Sequence, residues 1–210
     1  PVTVNIPDKL RAILLDDSDI INRQLKLAKL PARVTVDQII FDYGKAVQGG
    51  QTGIASSAND ELYVESDSND KFVFNKHEME ESSLGVCDYF NATIGTQLLY
   101  KMEREQFNSF IRTPGENAPG KHVNEDDTPE LENLKIVPSS IYGLAHLLRL
   151  FVRLGPLLAQ TMWSDRSINL ILKHVHDFLV WVSKNSGKYY NIEDDYEVAD
   201  TTYVRSTYTS

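Results

Sequence analysis

Residues 140–155 read SIYGLAHLLRLFVRLG, and this stretch decides the fold. Its apolar side chains recur at three- and four-residue steps, which places them on one face of an α-helix: Ile141, Leu144, Leu147, Leu148, Phe151 and Leu154. Apolar residues cover more than half of the helix circumference, so the sequence predicts a central helix. Ser139 or Ser140 is the predicted N-cap. Pro156 predicts a break or kink, because its ring clashes with the preceding turn.

The N-terminal region shows shorter patterns. Apolar residues 10, 13 and 14 predict a helical turn, and the polar residues 16–18 offer an N-cap for a second short helix. Residues 25–30 alternate between polar and apolar and predict a brief strand. Thr35 and Gln38 predict a capping box ahead of a further helix, in which each side chain satisfies a free backbone donor.

Two polar stretches predict long flexible loops, at about 48–75 and 113–138. Within the first of them, residues 62–64 and 71–74 are apolar enough to pair as a small hairpin. The second contains four prolines and several acidic residues, and it is too polar to belong to a core.

Two long helices complete the pattern. One is predicted from residue 76 or 78 to about residue 111, and Gly95 in its interior predicts that another element approaches closely. Ser164 begins the last long helix, and Gly187 is its predicted C-cap. The tyrosine-rich tail after residue 188 is predicted to be irregular. The fold class is therefore mainly α: a multi-helix single domain over residues 1–210, with short strands or a small hairpin in the N-terminal half.

Charge and composition exclude several classes of function. The formal net charge is −9 and the basic residues are scattered, which argues against direct nucleic-acid binding. The single cysteine, Cys87, excludes an internal disulfide framework and a cysteine-rich zinc site. No apolar stretch reaches the roughly 20 residues that a membrane helix needs. The chain begins at Pro1 without a methionine, so we expect a fragment of a longer protein.

The histidines offer little chemistry. His174 and His176 lie two residues apart on a predicted helix, so they face different sides and cannot easily share a metal ion. His146 lies inside the central helix. It is either a core histidine with a satisfied hydrogen bond or, as the alternative, the base of a hydrolase, although no nucleophile motif accompanies it. We predict no metal site, no cofactor and no enzymatic activity.

Two arginines allow two interpretations. Arg149 and Arg153 lie four residues apart and therefore share one face of the central helix. Either both reach solvent or pair with acids such as Glu103, or one of them lines the rim of an apolar pocket and holds a partner's backbone or carboxylate. Tyr100 lies in a charged run and is a candidate anchor, because it is large and stiff and has a polar tip.

Several motifs together resemble one known family, the MRG domain, which is the C-terminal domain of the mortality-factor-related chromatin proteins. The resemblance runs from about Val2 to Arg205. The motifs that carry it are LLDD at 14–17, YFN at 89–91, GTQLLYKMER at 95–104, YGLAHLLRLFVR at 142–153, HDFL at 176–179 and DYEVA at 195–199.

The resemblance implies a nuclear, helical scaffold of histone acetyltransferase and deacetylase complexes. In such domains an apolar groove receives partner segments, often a helix followed by a Phe-x-Leu-Pro stretch. Full-length relatives usually carry an N-terminal chromo domain, which is not in this chain. The partner, the complex and the oligomeric state are left open.

The groove residues follow from matching positions. The resemblance implies partner-binding roles for eight residues: Ile6, Leu14, Leu15, Ser18, Tyr100, Glu103, Val152 and Arg153. Ser18 departs from the family pattern, which commonly has a tryptophan after the two aspartates.

Overall fold

The computed structural model describes residues 2–51, 53, 55–58, 61–64, 72–111 and 136–209. The helices in these ranges are α1 (Asp8–Asn22), α2 (Val36–Gln48), α3 (Lys76–Thr93), α4 (Arg104–Ile111), α5 (Leu144–Leu158), α6 (Asp165–Tyr189), α7 (Ile192–Asp195) and α8 (Thr201–Thr209). The strands are β1 (Lys26–Ala28), β2 (Ala55–Ala58), β3 (Glu61–Val64), β4 (Phe72–Asn75) and β5 (Tyr196–Val198). The predicted fold class, mainly α with short strands, is confirmed.

The central position predicted for α5 is confirmed. Every residue from 144 to 151 is buried, and the helix packs against α1, α2 and α3. Its predicted N-cap was wrong, and α5 does not break at Pro156. The N-cap is Gly143, because Ser139 and Ser140 belong to a separate 3-10 turn. The helix also continues through Pro156 to Leu158, since a proline in the last turn removes only one helical hydrogen bond.

A single helix replaces the two short pieces predicted near the N-terminus. α1 runs without interruption, and Asp17 does not cap a helix but lies fully buried inside the fold. The side chain of Asp17 finds its partners on distant elements, which local sequence cannot reveal. Before α1, the chain crosses α5: a Cβ atom at Gly155 would lie 2.4 Å from the carbonyl oxygen of Val2.

The long helix predicted to end near residue 111 is interrupted. α3 ends at Thr93, a π-helical turn covers Ile94–Leu98, and a 3-10 turn covers Lys101–Glu103 before α4 begins. Between the two turns, Leu99 and Tyr100 are extended. The close approach predicted at Gly95 is confirmed, because a Cβ atom there would lie 2.9 Å from the ring of Phe107.

The strands form two antiparallel sheets in the described part of the chain. The brief strand predicted at 25–30 is confirmed as β1, which pairs with β5. The predicted hairpin is confirmed as β3 and β4, with Leu62 opposite Phe74. β2 adds a third strand within the region predicted as a loop. The predicted loop at 113–138 lies outside the described residues except for its last three.

The segment that leads to β2 is fixed to α6 at one glycine. The backbone N–H of Gly53 donates to Asp177 Oδ2 at 3.2 Å, and Lys184 Nζ donates to the Gly53 carbonyl at 2.6 Å. A Cβ atom at Gly53 would lie 2.0 Å from the backbone oxygen of Asp177, so only glycine fits there. Where the chain returns, Lys76 Nζ donates to the Gln48 carbonyl at 3.4 Å.

The observed helix caps agree only partly with the caps predicted from the sequence. Thr35 accepts from Gln38 N at 3.3 Å, but the Gln38 side chain donates to Asp42, so half of the capping box forms. Ser164 caps α6 as predicted. Gly187 is not the C-cap, because α6 continues to the buried Tyr189.

The prediction that the tail is irregular is wrong as well. It forms α7, β5 and α8, which the antiparallel pairing of β5 with β1 and the packing of α8 against the 101–103 turn hold in place.

Candidate partner-docking surface

A buried ion cluster joins α1, α5 and the Tyr100 turn, by which we mean residues 99–106. Arg149 of α5 is 5% exposed and donates from Nε to Asp17 Oδ2 at 2.9 Å. It also donates from Nη1 to Glu103 Oε2 at 2.6 Å and to the Leu98 carbonyl at 2.9 Å. One guanidinium therefore fixes three segments of the chain, and its planar fork suits this geometry.

Glu103 is the second centre of the cluster. It is fully buried, and its Oε1 lies 2.6 Å from His146 Nε2, while its Oε2 accepts from the backbone N–H of Tyr100 at 2.8 Å. Burial alone would raise the pKa of Glu103, but the charge of Arg149 and the contact with His146 outweigh it and hold the pKa at about 2. Glu103 is thus ionised at neutral pH, and its carboxylate holds the backbone of Tyr100 through this hydrogen bond.

Tyr100 lies directly over this cluster. Its ring centroid is 4.1 Å from the Arg149 guanidinium carbon, close enough for a cation–π interaction. The side chain is half-buried, so part of it faces solvent while its backbone N–H and one ring face are fixed. A tyrosine held in this way loses little conformational entropy when a partner covers it.

The residues with implied partner-binding roles differ in their exposure to solvent. On α1, Leu15 is 72% exposed, and Leu14, one turn before Asp17, is half-buried. On α5, Val152 is 53% exposed and Arg153 is exposed, both one turn beyond Arg149. α1 and α5 pack against each other, with Asp17 of α1 bound to Arg149 of α5. The docking surface, as we use the term, consists of Leu14, Leu15, Ser18, Tyr100, Val152 and Arg153.

Three residues with implied partner-binding roles are buried or half-buried: Ile6, Ser18 and Glu103. Ile6 is buried, and its carbonyl accepts from Arg11 Nε at 2.7 Å, so it anchors the N-terminal segment. Ser18 is half-buried, and its Oγ accepts from Asn22 Nδ2 at 3.3 Å. Glu103 has no exposed surface, so any effect it has on a partner passes through Tyr100 and Arg149.

Both arginines fit the first interpretation of the sequence, in which they reach solvent or pair with acids, and a contact of Arg153 with a partner stays a prediction. Arg149 pairs with acids, including Glu103, whereas Arg153 is exposed beside Val152. His146 is 2% exposed, packs against the ring of Tyr142 at 4.6 Å and binds Glu103. It is therefore a core histidine with a satisfied hydrogen bond, as one of the two interpretations of the sequence predicts.

The sequence patterns do not predict a cleft that the structure contains. A cleft of about 670 Å³ lies between α3, α5 and α6. Its lining is mainly apolar and includes Leu150, Leu154, Leu158, Leu170, Ile171 and Phe178. The stripe of the central helix identifies Leu154 only as core, because periodicity cannot separate a packed face from one that lines a cleft.

One polar pair lies in the wall of this cleft. Ser82 Oγ and His174 Nδ1 are 2.5 Å apart. Burial lowers the pKa of His174 to about 4, against a smaller opposing effect of Asp177. The imidazole is therefore neutral at pH 7.

No group of three or more histidine, cysteine or acidic side chains in the described ranges could hold a metal ion. None of the helices described here is both long and apolar enough to cross a membrane.

Comparison with protein families supplies the context of this surface. The family model described as MRG matches residues 1–198. The chain belongs to the MRG family. The match includes every residue of the docking surface and ends just before α8.

Individual relatives agree with this assignment. Mortality factor related protein 1 of Caenorhabditis elegans is 36% identical over 204 residues, covering 96% of this chain and 58% of the relative. Human Mortality factor 4-like protein 1 is 36% identical over 204 residues, covering 97% and 46%. Human Mortality factor 4-like protein 2 is 35% identical over 205 residues, covering 97% and 57%. The chain thus spans about half the length of these relatives.

Proposed function

We propose that this MRG chain is a non-enzymatic protein-interaction scaffold of chromatin-modifying complexes, acting in the nucleus. Membership of the MRG family supports the chromatin-associated interaction role. The observation that carries the proposal is the docking surface itself. It comprises the exposed Leu15 and Val152 and the half-buried Tyr100, whose backbone N–H is held by Glu103 of the buried ion cluster.

The chemistry of this surface suits an amphipathic partner helix. Exposed leucine and valine side chains offer apolar contact area, and recognition of a helix in an apolar groove uses such residues at helical spacing. Tyr100 and Arg153 are of the residue types in which interface energy concentrates. Arg153 can donate to a carboxylate or to the free carbonyl groups at the C-terminal end of a partner helix.

The cleft between α3, α5 and α6 suits an apolar segment that follows such a helix. Its volume and lining can take an aromatic and a leucine side chain, as the Phe-x-Leu-Pro stretches implied by the family resemblance would supply. Leu154 and Ile171 would contact these side chains. The partner would therefore use two surfaces of the domain, with α5 contributing to both.

A binding experiment tests the docking surface. Tyr100→Ala and Arg153→Glu are each expected to weaken binding by about 2 kcal/mol, or about 30-fold, as truncated hot-spot residues do. The measurement is calorimetry with a synthetic peptide that has an amphipathic helix followed by a Phe-x-Leu-Pro segment. Phe41→Ala is the matched control, since Phe41 is exposed on α2, outside the docking surface.

Two results would decide against the assignment. Unchanged affinity in both the Tyr100 and the Arg153 variant rejects the docking surface. An equal loss in the Phe41 control would show that the peptide binds without regard to site. A pull-down from nuclear extract, wild type against Tyr100→Ala, then identifies the natural partners.

A further inference from the structure

Helix α8 also contacts the Tyr100 turn, through hydrogen bonds separate from those of the ion cluster. The hydroxyl of Tyr203 donates to the carbonyl of Met102 and accepts from the backbone N–H of Gln106 at 3.1 Å. Ser206 Oγ, one turn further along α8, donates to Glu105 Oε2 at 3.1 Å. Helix α8 thus contacts three residues of the Tyr100 turn: Met102, Glu105 and Gln106.

The Tyr203 hydroxyl binds two backbone groups of the Tyr100 turn, one in the 3-10 turn and one at the start of α4. Gln106 is the third residue of α4, and the first four N–H groups of a helix have no partner within that helix. The Met102 carbonyl lies in the 3-10 turn just before it. Tyr203 satisfies both groups with a single hydroxyl, so it joins the 3-10 turn to the start of α4.

We infer that α8 is a positioning element for partner docking, and that Tyr203 holds the Tyr100 turn in its binding geometry. The inference rests on the proposed function. Glu103 and Arg149 fix Tyr100 from the core, and Tyr203 fixes the next residues from the surface. Because a turn fixed at both points is already ordered, a partner spends less binding free energy on ordering it.

The test compares two tyrosines of α8. Tyr203→Phe removes one hydroxyl and keeps the ring. Tyr208→Phe removes the hydroxyl of an exposed ring that lies 5.4 Å from Lys101 Nζ. We expect Tyr203→Phe to lower the hydrogen-exchange protection of the Gln106 amide by about 10-fold, because that amide loses its acceptor. Tyr208→Phe should leave the protection unchanged.

Partner binding supplies the second measurement, by surface plasmon resonance with the same helix and Phe-x-Leu-Pro peptide. Tyr203→Phe should weaken binding by about 5-fold, mainly through faster dissociation, while Tyr208→Phe has no effect. Circular dichroism confirms that both variants are folded. A purely structural hydroxyl would lower the melting temperature and leave the dissociation rate unchanged.

The outcomes separate the two proposals. Unchanged protection of Gln106 in Tyr203→Phe overturns the positioning role without any partner being present. Normal affinity in Tyr203→Phe, together with weak binding in Tyr100→Ala, also overturns it and leaves the docking surface standing. Normal affinity in Tyr203→Phe, Tyr100→Ala and Arg153→Glu overturns the docking surface, and the positioning role falls with it.

Discussion

Arg149 and Arg153 lie one turn apart on α5 and meet opposite environments. Arg149 binds acids that are 132 and 46 residues away in sequence, and Arg153 faces solvent. The spacing correctly predicts that the two share a side of the helix. It cannot predict which one is buried, because Asp17 and Glu103 reach Arg149 only after α1 and the Tyr100 turn have packed.

The buried cluster contributes more to geometry than to stability. Removing charges from water costs several kcal/mol per ion, which their mutual attraction roughly offsets. Taking away one partner leaves an uncompensated buried charge, however, so the cluster defines one arrangement of α1, α5 and the Tyr100 turn. Recognition of a partner needs that kind of fixed geometry.

Gly53 supports a prediction that concerns a single residue. Gly53→Ala places a methyl group 2.0 Å from the backbone oxygen of Asp177, so the segment must move and lose its bonds to Asp177 and Lys184. We expect the free energy of unfolding to fall by about 1–3 kcal/mol. Urea denaturation measures it.

Gly85→Ala is the matched control for Gly53→Ala. Gly85 lies inside α3, and no heavy atom lies within 4 Å of a Cβ atom built there. The free energy of unfolding should rise by about 0.5–1 kcal/mol, because alanine suits a helix better than glycine. A Gly53→Ala protein as stable as the wild type would contradict the fixed position of this segment.

Periodicity predicted the helices well and their boundaries poorly. The stripe that identifies α5 coincides with a buried face, because neighbouring elements cover every residue from 144 to 151. Breaks depend on partners elsewhere in the chain. The turns between α3 and α4 form where Arg149 donates to the Leu98 carbonyl and the Glu103 carboxylate accepts from the Tyr100 N–H. The groove positions, likewise, came from family motifs and not from spacing.

Pro156 supports a prediction that concerns a helix. Its ring nitrogen carries no hydrogen, so it cannot donate to the carbonyl of Val152 within α5. Pro156→Ala restores that donor at an exposed position. We expect the free energy of unfolding to rise, by up to about 3 kcal/mol, the cost of a proline inside a helix. Thermal denaturation measures the change.

Pro138→Ala is the control for Pro156→Ala. Pro138 opens a 3-10 turn, where a helix start has no use for its N–H, so replacing it restores no helical hydrogen bond. Pro138→Ala should give no gain, because losing a proline only adds conformational freedom to the unfolded chain. A gain equal to that of Pro156→Ala would contradict the role of the restored hydrogen bond in α5.

The response of the whole molecule to acid follows from two buried groups. The pKa of His174 falls from 6.5 to about 4 and that of Glu103 from 4.5 to about 2. Between each pair of values the unfolded chain binds more protons than the folded one, so the stability falls as the pH falls. We expect the loss to begin near pH 6.5 through His174, and to continue from pH 4.5 towards pH 2 through Glu103.

Urea denaturation at a series of pH values checks this dependence. His174→Asn should flatten the curve between pH 6.5 and 4, and Glu103→Gln should flatten it between 4.5 and 2. A wild-type stability that stays constant from pH 6.5 to 4 would contradict the neutral state assigned to His174.

The fixation of Gly53 has a consequence for how this chain can change in length. α6 holds the chain at Gly53, and Lys76 at the start of α3 returns to the carbonyl of Gln48 at the end of α2. The intervening chain therefore leaves and rejoins the helices at two anchored points. We therefore expect the connection between Gly53 and Lys76, which contains β2, β3 and β4, to vary in length without moving the helices at either anchor.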